Sequence, residues 1–195
     1  MTDVPRDPRD YLDSLDDEPL KYALVQCGEA KQEEKHVLAK DLYTSNYFQK
    51  KAEYAEECCY SWSILSAKYG VITPYTNIDY YDVTLDDYPR DVEDGYRTLD
   101  EWSEAVEESL QDTFSYLFNH PAHPDDYELV VLASQEYIDE IWIELGQVEF
   151  MRSNVELRFP FEDLGGIPGQ MRWMQARIDE ATDDPNQMRF GDVSS

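Results

Sequence analysis

Positive charge is what this sequence has least of. Lys and Arg number 16 against 43 Asp and Glu in 195 residues, leaving a formal net charge of −27. So acidic a coat excludes a nucleic-acid binder that works by bulk attraction to phosphate. Only seven of the cations are lysines, and the acids run along the whole chain instead of forming one block. That pattern fits a cytosol of molar salt, where screening is nearly complete, and points to a salt-loving microbe or one of its viruses. Long apolar runs are missing as well. No stretch approaches the roughly 18 residues of a membrane span, and the first residues lack the basic start and apolar segment of a leader. We therefore expect no membrane partner and a cytoplasmic location. Cysteines are three, with Cys58 and Cys59 adjacent, which excludes a disulfide framework in a chain of this length and implies reduced thiols.

What is present suffices for a core. Apolar residues make up 42% and aromatics 13%, too much for a wholly disordered acidic chain, and the length suits one domain. The expected organisation is a loose acidic arm over 1–20, a single α/β domain over 21–181 and a loose acidic tail over 182–195. Within the domain four apolar runs, Tyr22–Cys27, Trp62–Ala67, Tyr127–Ala133 and Val155–Phe159, each lead into a segment of helical period. Such alternation predicts a parallel sheet with crossover helices, a three-layer αβα sandwich. The third run is almost continuously apolar, as a strand covered on both faces should be, whereas the fourth alternates as an edge does. Right-handed crossovers then favour the strand order 2-1-3-4, with the second and fourth runs at the edges.

The helices carry their own signals. Thr44 or Ser45 can cap a helix whose apolar positions are Phe48, Ala52, Ala55 and Cys59. Thr98 to Glu101 is a capping box ahead of the stripe Trp102, Val106, Leu110, Thr113 and Leu117. Ser134 can cap a helix with Tyr137, Ile138, Ile141, Trp142 and Leu145 on one face. Pro168 suits a first turn before Met171, Met174, Ile178 and Ala181.

An open parallel sheet gathers ligands outside the carboxyl ends of its strands, where strand order reverses. That rule selects Cys27, Gly28 and Lys31 after the first strand, then Ser66, Ala67, Lys68, Tyr69 and Gly70 after the second. Ser134 follows the third strand, and Pro160 to Gly169 the fourth. Small residues and glycines also serve simply to turn a chain, but four such ends on one rim favour a pocket. The connection from Gly70 to Arg97 is far longer than a compact unit needs. It interleaves Tyr75, Asp79, Tyr80, Tyr81, Asp82 and Tyr88, so its tyrosines could stack on a flat ring while Asp82 accepts from the ring's edge. The other reading is an acidic lid packing its own aromatics.

The same rim residues carry a resemblance. Leu24 to Lys31, Ala39 to Ser45 with Phe48, Ile64 to Gly70, Tyr81 to Leu85 and Leu164 to Trp173 resemble, in order, the blocks of an uncharacterised bacterial, archaeal and phage family, domain of unknown function 6884. The likeness runs from about Tyr22 to Ile178. The family's serine and paired lysines after the first cysteine are replaced here by Gly28-Glu29-Ala30 and a single Lys31, and its glycine turn near Gly165 is usually shorter, without Pro168. The family's layout is similar to the uracil-DNA-glycosylase-like fold and to domains attached to tRNA base-exchange enzymes. That analogy assigns no reaction, yet it implies a nucleobase, nucleotide or nucleic-acid end as ligand.

Several chemistries are compatible with these residues. An N-glycosidase needs a carboxylate or polarised water near the anomeric carbon and a grip on the base, for which Asp82, Asp41, Tyr81, Ser66 and Lys68 are candidates, with Asp82, Ser66 and Lys68 as the catalytic set. Ser66 and Lys68, two apart on an extended segment, would face the same way as a serine–lysine pair; the commoner reading of Lys68 is an anion contact. Gln170 and Arg172, near a helix start, fit a phosphate. Tyr43, Tyr69, Gly70 and Ser134 complete the expected ligand-binding rim. His120 and His123 lack an acid–cysteine set, so no metal is expected, and no cofactor is implied. His36 is expected exposed, and Cys58 and Cys59 serve packing. Two classes stay open: a domain acting on a nucleobase or its glycosidic bond, and a non-catalytic module that meets a small ligand or a protein partner.

Overall fold

The chain is described here from a computed structural model covering residues 19–88, 98–118, 126–151 and 154–183. Strand β1 (Leu20–Gln26) is followed by β2 (Val37–Leu38), the short helix α1 (Ala39–Leu42) and α2 (Asn46–Cys58). Next come β3 (Ser61–Ser66), β4 (Gly70–Ile72), β5 (Asn77–Ile78) and a 3₁₀ turn at Leu85–Asp87. Helix α3 (Leu99–Phe118), β6 (Tyr127–Leu132), α4 (Gln135–Glu140), α5 (Trp142–Met151), β7 (Val155–Arg158) and α6 (Gly166–Asp183) complete the order. Leu20 thus lies in a strand inside the expected arm, and α6 runs past 181 into the expected tail; the rest of both arms lies outside the described residues.

The main sheet has five strands in the order β4-β3-β1-β6-β7, not four. The pairings β3–β1, β1–β6 and β6–β7 are parallel. The unforeseen strand is β4, which folds back antiparallel on β3 with Ser66 opposite Gly70, so β3, expected at an edge, is covered. Its turn, Ala67 to Tyr69, is closed by the Tyr69 N–H donating to Ser66 Oγ at 3.2 Å and by Gly70 at φ +70°, a conformation that excludes most side chains. A two-stranded antiparallel ribbon pairs β2 with β5.

Two cores flank the sheet. Leu24, Leu65, Leu129 and Val131 face α3, α4 and α5, while Val25, Ile64, Val130 and Leu132 face α1, α2 and α6. This is the three-layer arrangement expected. Alternate residues of one strand serve opposite layers because side chains point to opposite faces at period two. β6 is buried at five of its six positions and lies inside the sheet; β7 alternates and forms an edge.

The caps form as the sequence implies at two helices. Ser45 Oγ accepts from Phe48 N–H at 3.2 Å. Thr98 and Glu101 exchange their reciprocal bonds at 3.1 and 2.8 Å. In α3 the buried stripe is Trp102, Val106, Leu110 and Phe114, with Phe114 rather than Thr113 inward; one four-residue step from Leu110 explains it. The helix expected after Ser134 breaks at Ile141, whose N–H turns back to Ile138 O at 3.2 Å. Beyond the break the register changes, and Trp142, expected on the apolar face, is 55% exposed.

Candidate functional site

β1 and β6 are neighbours, but α2 after β1 covers one face and α4 after β6 covers the other. Their chain ends therefore diverge, and in an open sheet of this kind the carboxyl edge at that point is where a ligand crevice is expected. Cys27 stands there, half-buried against both cores, with its Sγ 3.6 Å from the Tyr137 hydroxyl. The two strand ends are tied together by Gln26 Oε1, which accepts the Ser134 N–H at 2.7 Å.

On the β3 side of the crevice a hydroxyl cluster is buried. Tyr81 OH lies 2.8 Å from Tyr43 OH and 2.8 Å from Ser66 Oγ, and all three residues are inaccessible or nearly so, Tyr81 at 4%. Burial raises both phenols well above their ordinary range, so they act as neutral hydrogen-bonding groups. Tyr69 stands edge-on to Tyr81, ring centroids 5.4 Å apart. Lys31 Nζ lies 4.6 Å and Lys68 Nζ 5.6 Å from the centroid of the Tyr81 ring. Lys31 is fixed through an antiparallel bridge to Tyr43, and Lys68 sits in the β3–β4 turn.

Below Cys27 on α2 is Lys51, 1% exposed. Its Nζ donates to Gln26 O at 2.7 Å and lies 4.8 Å from the Tyr47 ring centroid. Burial pulls its pKa down to about 7, opposed in part by the neighbouring Cys27. An amine desolvated in this way is partly neutral near pH 7 and can accept a proton.

On the β6–β7 side lies a cavity of about 180 Å³, lined by Ser134, Gln135, Ile138, Phe159, Phe161, Glu162 and Gln170 among others. Tyr47 OH donates to Gln170 Oε1, which leaves the Gln170 amide nitrogen as the end available to a ligand. Burial pushes the Tyr47 phenol up to about 12. Trp142 stands over this side, its ring 5.6 Å from that of Phe159.

The residues singled out by sequence therefore fall into groups. Lys31, Tyr43, Ser66, Lys68 and Tyr69 meet around Tyr81; Ser134 and Gln170 meet in the cavity; Cys27 lies between. Asp41, Asp82 and Arg172 are exposed and are not among the cavity's lining residues. Asp41 offers its main-chain carbonyl to Gln32 Nε2 at 2.8 Å. Gly28 has a packing role, since a Cβ there would lie 3.1 to 3.3 Å from Ser45, Phe48 and Tyr43. Ser66 and Lys68 do not share an extended segment, because a turn begins at Ala67, so the geometric premise of a serine–lysine pair fails. The described part of the long connection is not an open lid either. Tyr81 and Leu85 are buried, and Tyr88 OH donates to Ala67 O at 2.9 Å; residues 89–97 lie outside the described residues.

Sequence reasoning missed Lys51, Tyr47, Gln135 and the site role of Tyr137. Lys51 carried a signal: it is three residues after Phe48 and four before Ala55, on the buried stripe. Burial raises Cys58 to about 11 and Cys59 further, so neither is a ready thiolate. His36 is exposed, its N–H bonded to Asp79 Oδ1 at 2.9 Å. His120 and His123 lie outside the described residues. Among the described residues no three His, Cys, Asp or Glu converge to hold a metal ion, and no helix is long and apolar enough to cross a membrane.

Residues 22–176 match a family model described as "Family of unknown function (DUF6884)". No curated protein and no solved structure matches.

Proposed function

The chain belongs to the DUF6884 family of unknown function, and from the geometry of its strand ends we propose that it is a nucleobase-directed domain holding one flat heterocycle in the β6–β7 cavity. The observation that carries this reading is the lining. Phe159 and Phe161 line the hollow with aromatic rings, while Gln170 and Ser134 bring amide and hydroxyl groups to it, as does Gln135, whose Nε2 donates to Asp139 Oδ1 at 2.7 Å and whose amide oxygen is the end left to a ligand. Amide side chains match the paired donors and acceptors on a base edge, and enzymes that handle single bases grip them by such bonds together with stacking. Size supports one ring system: about 180 Å³ is below the roughly 300–1,000 Å³ of pockets that enclose larger organic ligands.

The uracil-DNA-glycosylase-like layout expected from the resemblance agrees with a site at the strand ends, as an analogy of architecture. Hydrolysis of an N-glycosidic bond would need a carboxylate or polarised water at the anomeric carbon. Glu162 is the carboxylate that lines the cavity, with Asp82, Ser66 and Lys68 at or beyond the neighbouring strand ends. The acidic coat supports a salt-rich cytoplasm as the working environment, where a neutral base is bound without interference from the −27 charge.

The test is thermal unfolding with free bases and nucleosides at low and at molar salt. A ligand at a hundred times its Kd adds about 2.7 kcal/mol, a Tm rise of roughly 5–10 °C for a chain of this size. We expect such a rise for at least one base, abolished in Gln170→Ala. No rise with any base, or one that Gln170→Ala leaves intact, overturns the assignment of this cavity. Release of free base from a nucleoside, absent in Glu162→Gln, separates catalysis from binding alone.

A further inference from the structure

We infer that Lys31 and Lys68 form an anion site over the Tyr81 ring that takes a phosphate monoester, so that the ligand of the strand ends is a 5′-phosphorylated nucleotide and not a bare base. The phosphate part stands on the lysines alone; the nucleotide part rests on the reading of the cavity given above. Two ammonium groups from separate segments approach one ring, at 4.6 and 5.6 Å from its centroid. Ammonium groups gathered at one ring repel each other, and the ring quadrupole offsets only part of that; Lys68 Nζ also lies 5.1 Å from the Tyr69 ring centroid. In a chain with 43 acids, neither of these lysines makes an ion pair among the described residues; Lys31 Nζ reaches only the carbonyl of Glu29, at 3.3 Å. Lys40 and Lys50, elsewhere on the surface, are paired with Glu56 and Glu53. Two lysines without an acidic partner among the described residues suit an anion.

The main chain that carries both cations is held in place: a bridge to Tyr43 fixes the Lys31 backbone, the closed turn before Gly70 fixes the Lys68 backbone, and the bonds to Tyr43 and Ser66 fix the Tyr81 ring. An anion binding here therefore has the two lysine side chains to order, but neither the loops nor the ring. A dianionic phosphate suits two such point charges. In molar salt the net charge is screened beyond a few Å, so capture depends on the short-range contacts that these two lysines make. Lys31 and Lys68 stand at the ends of β1 and β3, while the cavity lies at the ends of β6 and β7. Two strand spacings, about 10 Å, separate the β1–β3 ends from the β6–β7 ends, a span that a nucleotide covers from the far edge of its base to its 5′-phosphate.

The experiment measures Kd by calorimetry at matched ionic strength in phosphate-free buffer, with the full chain and with Lys31→Met and Lys68→Met. Urea midpoints confirm that each variant folds. The ligands are a nucleoside, its 5′-monophosphate, a 5′-phosphorylated trinucleotide and inorganic phosphate. We expect the monophosphate to bind about tenfold or more tighter than the nucleoside, each variant to erase that advantage, and nucleoside affinity to stay unchanged. Equal binding of nucleoside and monophosphate by the native chain, or an advantage that survives both variants, overturns the anion site while leaving the base cavity standing. Lysine-dependent binding of inorganic phosphate with no response to any base supports the anion site and removes the base cavity instead. Absence of all binding overturns both. Whichever of the mononucleotide and the trinucleotide binds tighter identifies the source of the phosphate.

Discussion

Replacing Lys51 by Met should make the protein more stable at pH 6 and nearly neutral in effect at pH 9.5. In the folded chain burial holds the amine at about 7 against an ordinary 10.5, and in the unfolded chain it returns to that ordinary value. Between these two pH values the unfolded chain keeps a proton that the folded chain has lost, so native stability rises with pH across the window. Below about 7 both states hold the proton and the fold carries the full cost of an interior ammonium. At about 1.4 kcal/mol per pH unit, that cost is on the order of 5 kcal/mol at pH 6 and falls to about 1.4 kcal/mol at pH 9.5. Met keeps the unbranched stem against Phe48 and Ala55 but loses the bond to Gln26 O, worth about 1–2 kcal/mol. The net gain is then roughly 3 kcal/mol at pH 6 and close to zero at pH 9.5. Urea unfolding of native and variant chains at both pH values provides the assay, and taking the difference cancels the groups that do not interact with Lys51. A variant-minus-native difference that does not change between the two pH values would refute the claim that desolvation governs this lysine.

Three further substitutions probe the frame of the site. Tyr81→Phe removes the hydroxyl shared by Tyr43 and Ser66 and should cost about 1–3 kcal/mol in urea unfolding; a loss below roughly 0.5 kcal/mol would show that the cluster is not sealed from water. Gly70→Ala forces a side chain into φ +70° and should lower stability by about 1–2 kcal/mol, whereas Gly146→Ala, in a helix with open space around it, should raise it by about 0.5–1 kcal/mol. Equal effects at the two glycines would contradict the turn geometry. Gly28→Ala should cost about 1–3 kcal/mol by overpacking against Ser45, Phe48 and Tyr43, read as a lower Tm, and an unchanged Tm would mean that the α2 start yields freely.

The parallel strands were legible because burial on both faces writes a nearly continuous apolar run, as in Tyr127–Leu132, while an edge such as Val155–Arg158 keeps its alternation. The Thr98 box was legible because its chemistry is local. β4 was not, since three residues after a turn carry no period, and pairing with β3 decides their state. The break at Ile141 escaped for a related reason: the apolar spacing continues through it, and only the docking of Trp142 beside Phe159 shows that the register has shifted. Among site residues, Ser134 follows from the rule that strand ends gather ligands, and Gln170 from its place near a helix start. Lys51 was passed over because lysine is expected at the surface, although its spacing was that of a core position. For Tyr81 the sequence leaves open both a ligand-stacking role and a self-packed lid, because a long connection hides which of its aromatics turn inward, and tertiary packing alone settles that.

Strand β1 comes first in the chain yet lies between β3 and β6, with Leu20 opposite Tyr127. During synthesis it can join β3 once Ser66 has emerged, but its other edge must wait while the ribosome adds the long segment up to β6. At the usual elongation rate of about 5–20 residues per second, a nascent chain exposes the unpaired, apolar flank of Tyr22 to Val25 for several seconds. Such an edge invites pairing with another chain. The architecture that creates the crevice thus also sets the interval in which newly made copies are most prone to stick to one another, and a transcript truncated before Tyr127 should yield aggregates instead of a smaller soluble domain.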